Sequence, residues 1–342
     1  MLRILLGFVA GAAVVAVWYT LKPVLSPPAP SVHISPEAQQ AMSAVREQMS
    51  PYMKDMLTGD VYTRRAILDE HFFAPRIEEA RRLYPVDEEI LTIDGVYTEV
   101  FTPTGGVPAE NRQRVLINLH GGGFSMGART EGRLESIPVA NIARMKVVSV
   151  DYRQGPEHHF PAASEDVATV YQHLLEHHAP ENIGIFGCSA GGMLTAQAMA
   201  WFDAHDIPKP GAIGIFCAGA GKFGTGDAAV ITSAFGTDFS SGEEMEYFSG
   251  ESWNNPLISP LEHPDILARF PPTLLITSTR DGALSSTIVT HQRLVGEGVK
   301  TQLHVYEGLH HYFFSDTALP ESRHVFDVIA NFFNRELASA VE

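Results

Sequence analysis

Residues 182–191 read Asn-Ile-Gly-Ile-Phe-Gly-Cys-Ser-Ala-Gly, and this stretch decides the fold. A short apolar run ends in the pattern Gly-x-Ser-x-Gly around Ser189, and a helix-forming stretch, 193–202, follows at once. The order is therefore a strand, a sharp turn and a helix, with a serine at the turn. Glycines on both sides of a residue allow a tight turn that holds it in a strained backbone conformation. We predict that the hydroxyl of Ser189 stands exposed at the edge of a sheet, above the positive end of the following helix.

Short apolar strands alternate with helical segments along most of the chain after residue 88. A β-hairpin opens this part, because strand-like runs flank Asp94-Gly95, a two-residue turn signal. Six further strands are predicted at 114–119, 147–151, 183–186, 212–217, 273–277 and 302–306, and a last helix at 323–337. The alternation predicts an α/β fold with a mostly parallel sheet that is covered by helices on both faces. The opening hairpin makes one end of the sheet antiparallel.

The chain before residue 88 and one later segment fall outside this alternation. Residues 32–87 are predicted to form amphipathic helices, of which the first is capped by Ser35 and two later ones are separated at Pro75. Residues 221–264 stand where a strand-to-helix connection is expected, and they are too long for a plain loop. Insertions of this kind commonly lie at or over a functional site. The predicted main domain is therefore 88–342, with an insertion at about 221–264.

The first residues of the chain predict attachment to a membrane. Arg3 is followed by eighteen uncharged residues, 4–21, which lie at the lower limit for a membrane-spanning helix and exceed the usual core of a signal peptide. The run ends in aromatic residues without a small-residue cleavage pattern, and a proline-rich spacer, 23–31, follows. We predict that residues 1–22 are an uncleaved anchor, with a cleaved signal segment as the alternative. Either one places the main domain in the periplasm or another extracytoplasmic compartment.

Charge and cysteine content narrow the class of protein. The chain carries 40 acidic and 24 basic side chains, a formal net charge of −16, whereas nucleic-acid binding needs clustered lysine and arginine. We therefore predict no nucleic-acid partner. The two cysteines, Cys188 and Cys217, lie in apolar strand-like stretches, and we predict that they are free, buried thiols.

A glycine-rich stretch, His120-Gly-Gly-Gly-Phe124, follows a predicted strand directly. Three glycines leave backbone N–H groups bare and able to approach a ligand closely. The N–H groups of Gly122 and Gly123, together with that of Ala190, would stabilise the oxyanion of an acyl-transfer intermediate. If the loop is shifted by one residue, the N–H group of Gly121 is a donor as well. The alternatives are a flexible turn and a phosphate cradle, but no lysine follows as in a P-loop and the G-x-G-x-x-G spacing is missing.

A serine nucleophile needs a base and an acid that orients the base. Where these residues follow the chain order Ser, Asp/Glu, His, the acid and the base lie in loops after late strands. Asp281 follows the strand predicted at 273–277, and the adjacent His310 and His311 follow the strand predicted at 302–306. Topology therefore selects Asp281 as the acid and leaves the base open between the two histidines. The sequence contains no clustered ligand spacing, so we predict neither a metal nor a cofactor.

Four blocks of the sequence resemble the hormone-sensitive-lipase family of carboxylesterases, the bacterial esterases of that group especially. The blocks are 120–124, 151–161 (Asp-Tyr-Arg-Gln-Gly-Pro-Glu-His-His-Phe-Pro), 187–192 and 306–313, and the resemblance covers most of the chain from about residue 114. The second block matches the family pattern D-Y-R-x-x-P-E-x-x-x-P and is the most specific. The resemblance implies an α/β-hydrolase fold with a helical cap. Residues 32–87 and the insertion at 221–264 would form that cap.

The same resemblance implies a Ser-Asp-His triad that hydrolyses esters of small molecules through an acyl-enzyme. The family's catalytic histidine stands three residues after the glycine of E-G-x-x-H, which selects His311, and its acid opens the loop at Asp281. With Ser189 as the nucleophile, the predicted substrates are carboxylic esters with short to medium acyl chains. Hydrolysis of lactones or amides is the alternative among enzymes. A ligand receptor on this fold is the alternative outside them, although such receptors lose the histidine, and a homodimer stays open as the assembly.

The residue before the serine departs from the family. The family commonly has aspartate there, and this chain has Cys188. That aspartate lies outside the triad, so the resemblance still implies activity. We predict that the thiol is inert packing, with tuning of the nucleophile or oxidation as the alternative.

Overall fold

The computed structural model describes residues 29–233 and 245–338. Its strands are β1 (Val86–Ile93), β2 (Val96–Pro103), β3 (Val115–Leu119), β4 (Lys146–Val150), β5 (Ile183–Cys188), β6 (Ala212–Phe216), β7 (Thr273–Arg280) and β8 (Thr301–His310). They form one sheet in the order β1-β2-β4-β3-β5-β6-β7-β8, in which β2 is antiparallel to both neighbours and the other pairs are parallel. The predicted mostly parallel sheet with an antiparallel hairpin at one end is confirmed.

Helices cover both faces of this sheet. The α-helices are α1 (Pro36–Met49), α2 (Met53–Thr58), α3 (Val61–Ile67), α4 (Ala74–Leu83), α5 (Glu131–Ala143), α6 (Ala162–Leu175), α7 (Ala190–Ala204), α8 (Gly226–Ser233), α9 (Pro264–Leu267), α10 (Leu284–Gly296) and α11 (Pro320–Glu336). One apolar core holds side chains of α6 and α7, and the other holds side chains of α4, α5 and α11. Strands β3, β5 and β6 lie between the two cores and are buried along their whole length, which is why their sequences are almost continuously apolar.

The helices before β1 differ from the prediction at Pro75. The predicted break is absent from this described segment, because α3 continues through a π-helical turn, Leu68–Phe73, directly into α4. The N–H of Ala74 donates to the carbonyl of Asp69, five residues back, so the turn is widened just before the proline. The carbonyl of His71, with which a proline at 75 would clash in a regular helix, accepts a hydrogen bond from the Gln48 side chain instead (2.5 Å).

Two predicted regions are described only in part. The anchor predicted at 1–22 and most of the spacer at 23–31 lie outside the described residues, so membrane attachment and extracytoplasmic location stay predictions. Within the described residues, no helix combines the length and apolar character that crossing a bilayer requires. The insertion predicted at 221–264 is described on both sides of residues 234–244, and it contains α8 and a 3₁₀ turn, Glu246–Phe248.

The end of β5 approaches β3 so closely that only glycine fits at two positions. A Cβ added to Gly187 or to Gly191 would overlap the carbonyl oxygen of Leu119 in β3. Ser189, between these glycines, has a positive φ of 57°, and the helix α7 begins at the next residue. The predicted strand, sharp turn and helix are therefore present, and the contact with Leu119 explains why glycines flank the serine.

We expect Gly191→Ala to destabilise the protein by about 4 kcal/mol or more, because the new methyl group would overlap a buried backbone carbonyl that cannot move without disturbing β3. Gly296→Ala at the end of α10 is the matched control, since a Cβ there would have no neighbour within 4 Å. That change should leave stability unchanged or raise it by up to about 1 kcal/mol. Urea unfolding measures both effects, and equal stability of the two variants would contradict the close approach.

Candidate active site

Three strand ends bring the predicted nucleophile, acid and base to one edge of the sheet. Ser189 follows β5, Asp281 follows β7 and His311 follows β8, each at the first residue after its strand. Since parallel strands end at the same edge of a sheet, residues that are far apart in sequence meet there. The backbone N–H of Ser189 donates to the carbonyl of Phe216 at the end of the adjacent strand β6 (2.8 Å), which fixes the position of the serine.

The side chains of these three residues form a continuous chain of hydrogen bonds. His311 Nε2 lies 2.9 Å from Ser189 Oγ, and His311 Nδ1 lies 2.8 Å from Asp281 Oδ1. The imidazole is 14 % exposed, whereas the carboxylate is completely buried. With a proton on Nδ1, the ring donates to the carboxylate, and Nε2 is free to accept the serine proton.

Asp281 is held as an anion by the donors that surround it. Burial alone would raise its pKa, but the pKa is lowered from its ordinary value because His311, the backbone N–H of Ala283 and the hydroxyl of Thr277 stabilise the charged form. Ala283 N–H donates to Oδ1 (2.8 Å), and Thr277 Oγ1 donates to Oδ2 (3.0 Å). Both carboxylate oxygens are therefore occupied, which fixes the direction in which Asp281 faces His311.

The glycine-rich loop follows β3 and has the backbone conformation that glycine permits. Gly122 and Gly123 have φ angles of 85° and 61°, and the carbonyl of Gly122 accepts hydrogen bonds from the N–H groups of Ser125 (3.1 Å) and Met126 (2.9 Å). Ala190 is the first residue of α7, where backbone N–H groups lack partners within the helix. The assignment of an oxyanion hole to Gly121, Gly122, Gly123 and Ala190 stays a prediction.

Side chains from two other segments hold this loop in place. Tyr152 stacks on the His120 ring (centroids 4.2 Å apart) and donates its hydroxyl hydrogen bond to the carbonyl of His120 (2.8 Å). Arg65 of α3 donates to the carbonyls of Ser125 and Gly155, both at 2.7 Å, and pairs with Glu157. The hydrogen bonds with Arg65 lower the pKa of Glu157 to about 2. The N-terminal helices are thus tied directly to the loop.

The insertion also contacts this region. Phe124, next to the glycines, stacks on Tyr247 (centroids 5.0 Å apart) and packs edge-on against Phe248 (4.9 Å). Phe223 lies edge to face on the His311 ring, with centroids 5.4 Å apart. The described part of the insertion therefore supplies aromatic side chains to both the loop and the His311 ring.

The two cysteines are free and buried, as predicted, and they lie side by side beneath the serine. Burial is the main cause that raises the pKa of the Cys188 thiol well above its ordinary value, and the neighbouring Cys217 raises it further. The thiol therefore stays protonated and poorly nucleophilic. Cys217 Sγ, an oxygen of Asp281 and a ring nitrogen of His311 lie within 4.8 Å of one another. The sequence spacing gave no sign of this cluster of potential metal ligands. Its carboxylate and imidazole bond to each other, so the cluster belongs to the hydrogen-bond chain already described.

Sequence reasoning missed two acids behind the loop. Glu131 and Glu135 of α5 are both buried, with 4 % and 1 % of their surfaces exposed. Two glutamates four residues apart ordinarily indicate a solvated helix face. The apolar residues between and after them, such as Leu134 and Ile137, are the signal that could have shown that this face is covered.

Comparison with known proteins agrees with the fold. A family model described as the alpha/beta hydrolase fold matches residues 116–315, more than half of the chain. Esterase LipU of Mycobacterium tuberculosis is 28 % identical over 72 % of this chain and 86 % of its own length. The solved structure of an esterase, E25, is 30 % identical and superposes with a TM-score of 0.77 over 91 % of this chain and 97 % of that chain.

A solved esterase from the bacterial hormone-sensitive lipase family is 23 % identical, and its TM-score of 0.73 over 89 % of this chain and 99 % of that chain shows the shared fold. The predicted fold and the resemblance on which it rests are confirmed. The chain therefore belongs to the α/β-hydrolase fold family and, like the relatives that it matches, it is a carboxylic-ester hydrolase.

Proposed function

We propose that the protein is a serine esterase that cleaves small carboxylic esters with short to medium acyl chains through an acyl-enzyme. The observation that carries this proposal is the hydrogen-bond chain from Ser189 Oγ through the His311 ring to Asp281. Serine hydrolases use this constellation on unrelated folds, and its geometry, more than its position in the sequence, identifies it.

In the first half of the reaction, Ser189 Oγ attacks the carbonyl carbon of the ester, and His311 Nε2 takes the serine proton. The charged Asp281 stabilises the imidazolium that forms and keeps its Nδ1–H directed at the carboxylate. Negative charge develops on the former carbonyl oxygen. The backbone N–H groups of Gly122, Gly123 and Ala190 stabilise this charge, with Gly121 as the alternative donor. His311 then protonates the leaving alcohol, and the acyl group stays on Ser189.

Water completes the cycle by the same steps in reverse order. His311 takes a proton from the water as it attacks the acyl carbon, and it returns that proton to Ser189 Oγ as the acid leaves. Lactones and amides fit the same steps, so the choice among esters, lactones and amides depends on the shape of the site. Phe223 packs against the His311 ring. We infer that it limits the space next to the base and so favours short acyl chains.

Ser189→Ala should lower kcat for p-nitrophenyl butanoate by roughly 10⁴-fold or more, because it removes the nucleophile and leaves the donors and the binding surface. A fluorophosphonate should label the wild type once, at Ser189, as peptide mass spectrometry would show. A wild type that neither hydrolyses esters nor reacts with the phosphonate would instead support a ligand receptor on this fold.

The two adjacent histidines provide a matched comparison. His311→Asn should lower kcat by at least about 10³-fold, because asparagine cannot accept the serine proton. His310→Asn should stay within about tenfold of the wild type, since the Nδ1 of His310 bonds to the backbone carbonyl of His311 (2.8 Å) and an amide can donate to the same carbonyl. Reversal of this order in steady-state kinetics would assign the base to His310.

A substrate panel tests the acyl preference. With p-nitrophenyl acetate, butanoate, octanoate and hexadecanoate, we expect kcat/KM to be highest for butanoate or octanoate and lowest for hexadecanoate. Phe223→Ala should move the optimum towards longer chains, because it widens the space beside His311. A γ-lactone or an anilide hydrolysed faster than every ester would replace the ester assignment with the corresponding alternative.

A further inference from the structure

Helix α5 places two acids in the interior that the proposed reaction does not use. Glu131 and Glu135 stand one turn apart on the helix and face the region behind the glycine-rich loop and Ser189. The Glu135 carboxyl accepts a hydrogen bond from Asn118 Nδ2 in β3 (3.1 Å). Glu131 lies nearer to the loop. Burying a carboxyl group is unfavourable unless it has a partner or is protonated, so these two positions call for a physical reason.

The Glu131 carboxyl fills a cradle formed by two glycines of the loop. A Cβ added to Gly121 would overlap Oε1 and lie 3.0 Å from Cδ, and a Cβ added to Gly127 would lie 2.6 Å from Oε2. The backbone N–H of Glu131 also donates to the carbonyl of Gly127 (2.9 Å). Residues 121–127 therefore wrap around one side chain, with one carboxyl oxygen at each end of the loop.

The proposed oxyanion donors lie between these two contacts. Gly122 and Gly123 follow the first glycine of the cradle, and the turn from Gly122 to Met126 leads to the second. A loop held at both ends keeps its central N–H groups in a fixed direction, and donors fixed before the reaction are the ones that stabilise an oxyanion most. The carboxyl therefore lies against both ends of the segment that contains these donors.

We propose that Glu131 is a positioning residue that holds the oxyanion loop for catalysis. The inference rests on the proposed esterase function and adds to it a residue outside the triad and the oxyanion hole.

The surroundings of Glu131 keep its carboxyl neutral. The pKa of Glu131 is raised to about 8, mainly by burial and to a smaller extent by the charge of Asp69 on the π turn. The other groups that face it are Glu135 on the same helix, Tyr152 and His120 beside the loop, and Cys188 and Tyr312 from the ends of β5 and β8. Burial shifts the pKa of each of these five towards its neutral form. A protonated carboxyl has an O–H that can donate to the loop, whereas an ionised one has acceptors only and is repelled by Asp69.

The kcat–pH profile of Glu131→Gln tests the proposal, because glutamine keeps the shape and the donor of a protonated glutamate and cannot ionise. The wild type should lose kcat by about tenfold between pH 8 and pH 9.5. The kcat of Glu131→Gln should lie within about twofold of the wild-type value at pH 7, and it should not fall between pH 8 and pH 9.5. Glu135→Gln is the matched control and should keep the decline. The proposal is overturned if the wild type shows no alkaline decline, if Glu131→Gln keeps it, or if Glu135→Gln removes it.

Glu131→Ala separates positioning from folding. It should lower kcat by about tenfold with KM changed less than about twofold, because the loop loses its support and the substrate surface stays. Unchanged kcat in a folded alanine variant overturns the proposal. If alanine prevents folding, the glutamine profile alone decides. A wild type inactive on every ester overturns the proposed function and this inference with it, whereas an active enzyme with the wrong profile overturns only the inference.

Thermal stability gives a second measurement that does not depend on turnover. The pKa of Glu131 is higher in the folded chain (about 8) than its ordinary value of 4.5, so the folded chain holds a proton that the unfolded chain releases between these pH values. The stability that this proton gives to the folded chain is complete below about pH 4.5 and is lost as pH rises through about 8. The melting temperature of the wild type, relative to Glu131→Gln, should therefore fall between pH 5 and pH 8. A pH-independent difference would show that Glu131 is not the titrating group.

Discussion

The close approach of β3 to the turn after β5 is the constraint on which the rest of the structure depends. The carbonyl of Leu119 occupies the space that a side chain at 187 or 191 would need, so the chain can turn there only with glycine. The same approach gives Ser189 its positive φ and starts α7 directly behind it. Leu119 is also the last residue of β3, and the glycine-rich loop begins immediately after it. The contact of Leu119 with this turn therefore sets the distance between Ser189 and the proposed oxyanion donors. A change in the packing of these strands would also change the geometry of the site.

The sequence predicted the strands well because they follow from periodicity. Topology led to Asp281, which the structure places beside His311. It could not choose between His310 and His311 without the family resemblance, since adjacent residues in an extended chain point to opposite faces and an irregularity of one residue reverses them. The structure contains such an irregularity: the pairing of β7 with β8 shifts between Ser278 and Arg280, and Tyr312 adopts a left-handed conformation directly after His311. Local backbone geometry, which hydrophobic patterns do not encode, therefore decides which ring faces Ser189.

Other parts of the site were beyond the sequence because they depend on what packs against a helix. Pro75 predicts a break, but a π-helical turn precedes the proline and the Gln48 side chain bonds to the carbonyl that the proline leaves without a donor. Arg65 looks like an ordinary surface residue of an amphipathic helix, yet it donates to two carbonyls of neighbouring loops. In both cases the partner is distant in sequence. The hydrophobic pattern of a helix therefore predicts that the helix forms, whereas tertiary contacts decide which partners its polar residues bind.

The buried carboxyl groups near Ser189 show how environment gives similar residues different protonation states. Asp281 and Glu131 are both removed from water, and burial raises the pKa of each. Asp281 faces His311, Thr277 and the N–H of Ala283, which outweigh burial and keep it ionised. Glu131 faces the acidic Asp69, so it stays protonated near neutral pH. This separation suits the chemistry that we propose. An anion at Asp281 stabilises the imidazolium, whereas an anion behind the glycine-rich loop would oppose the negative charge that develops on the substrate oxygen.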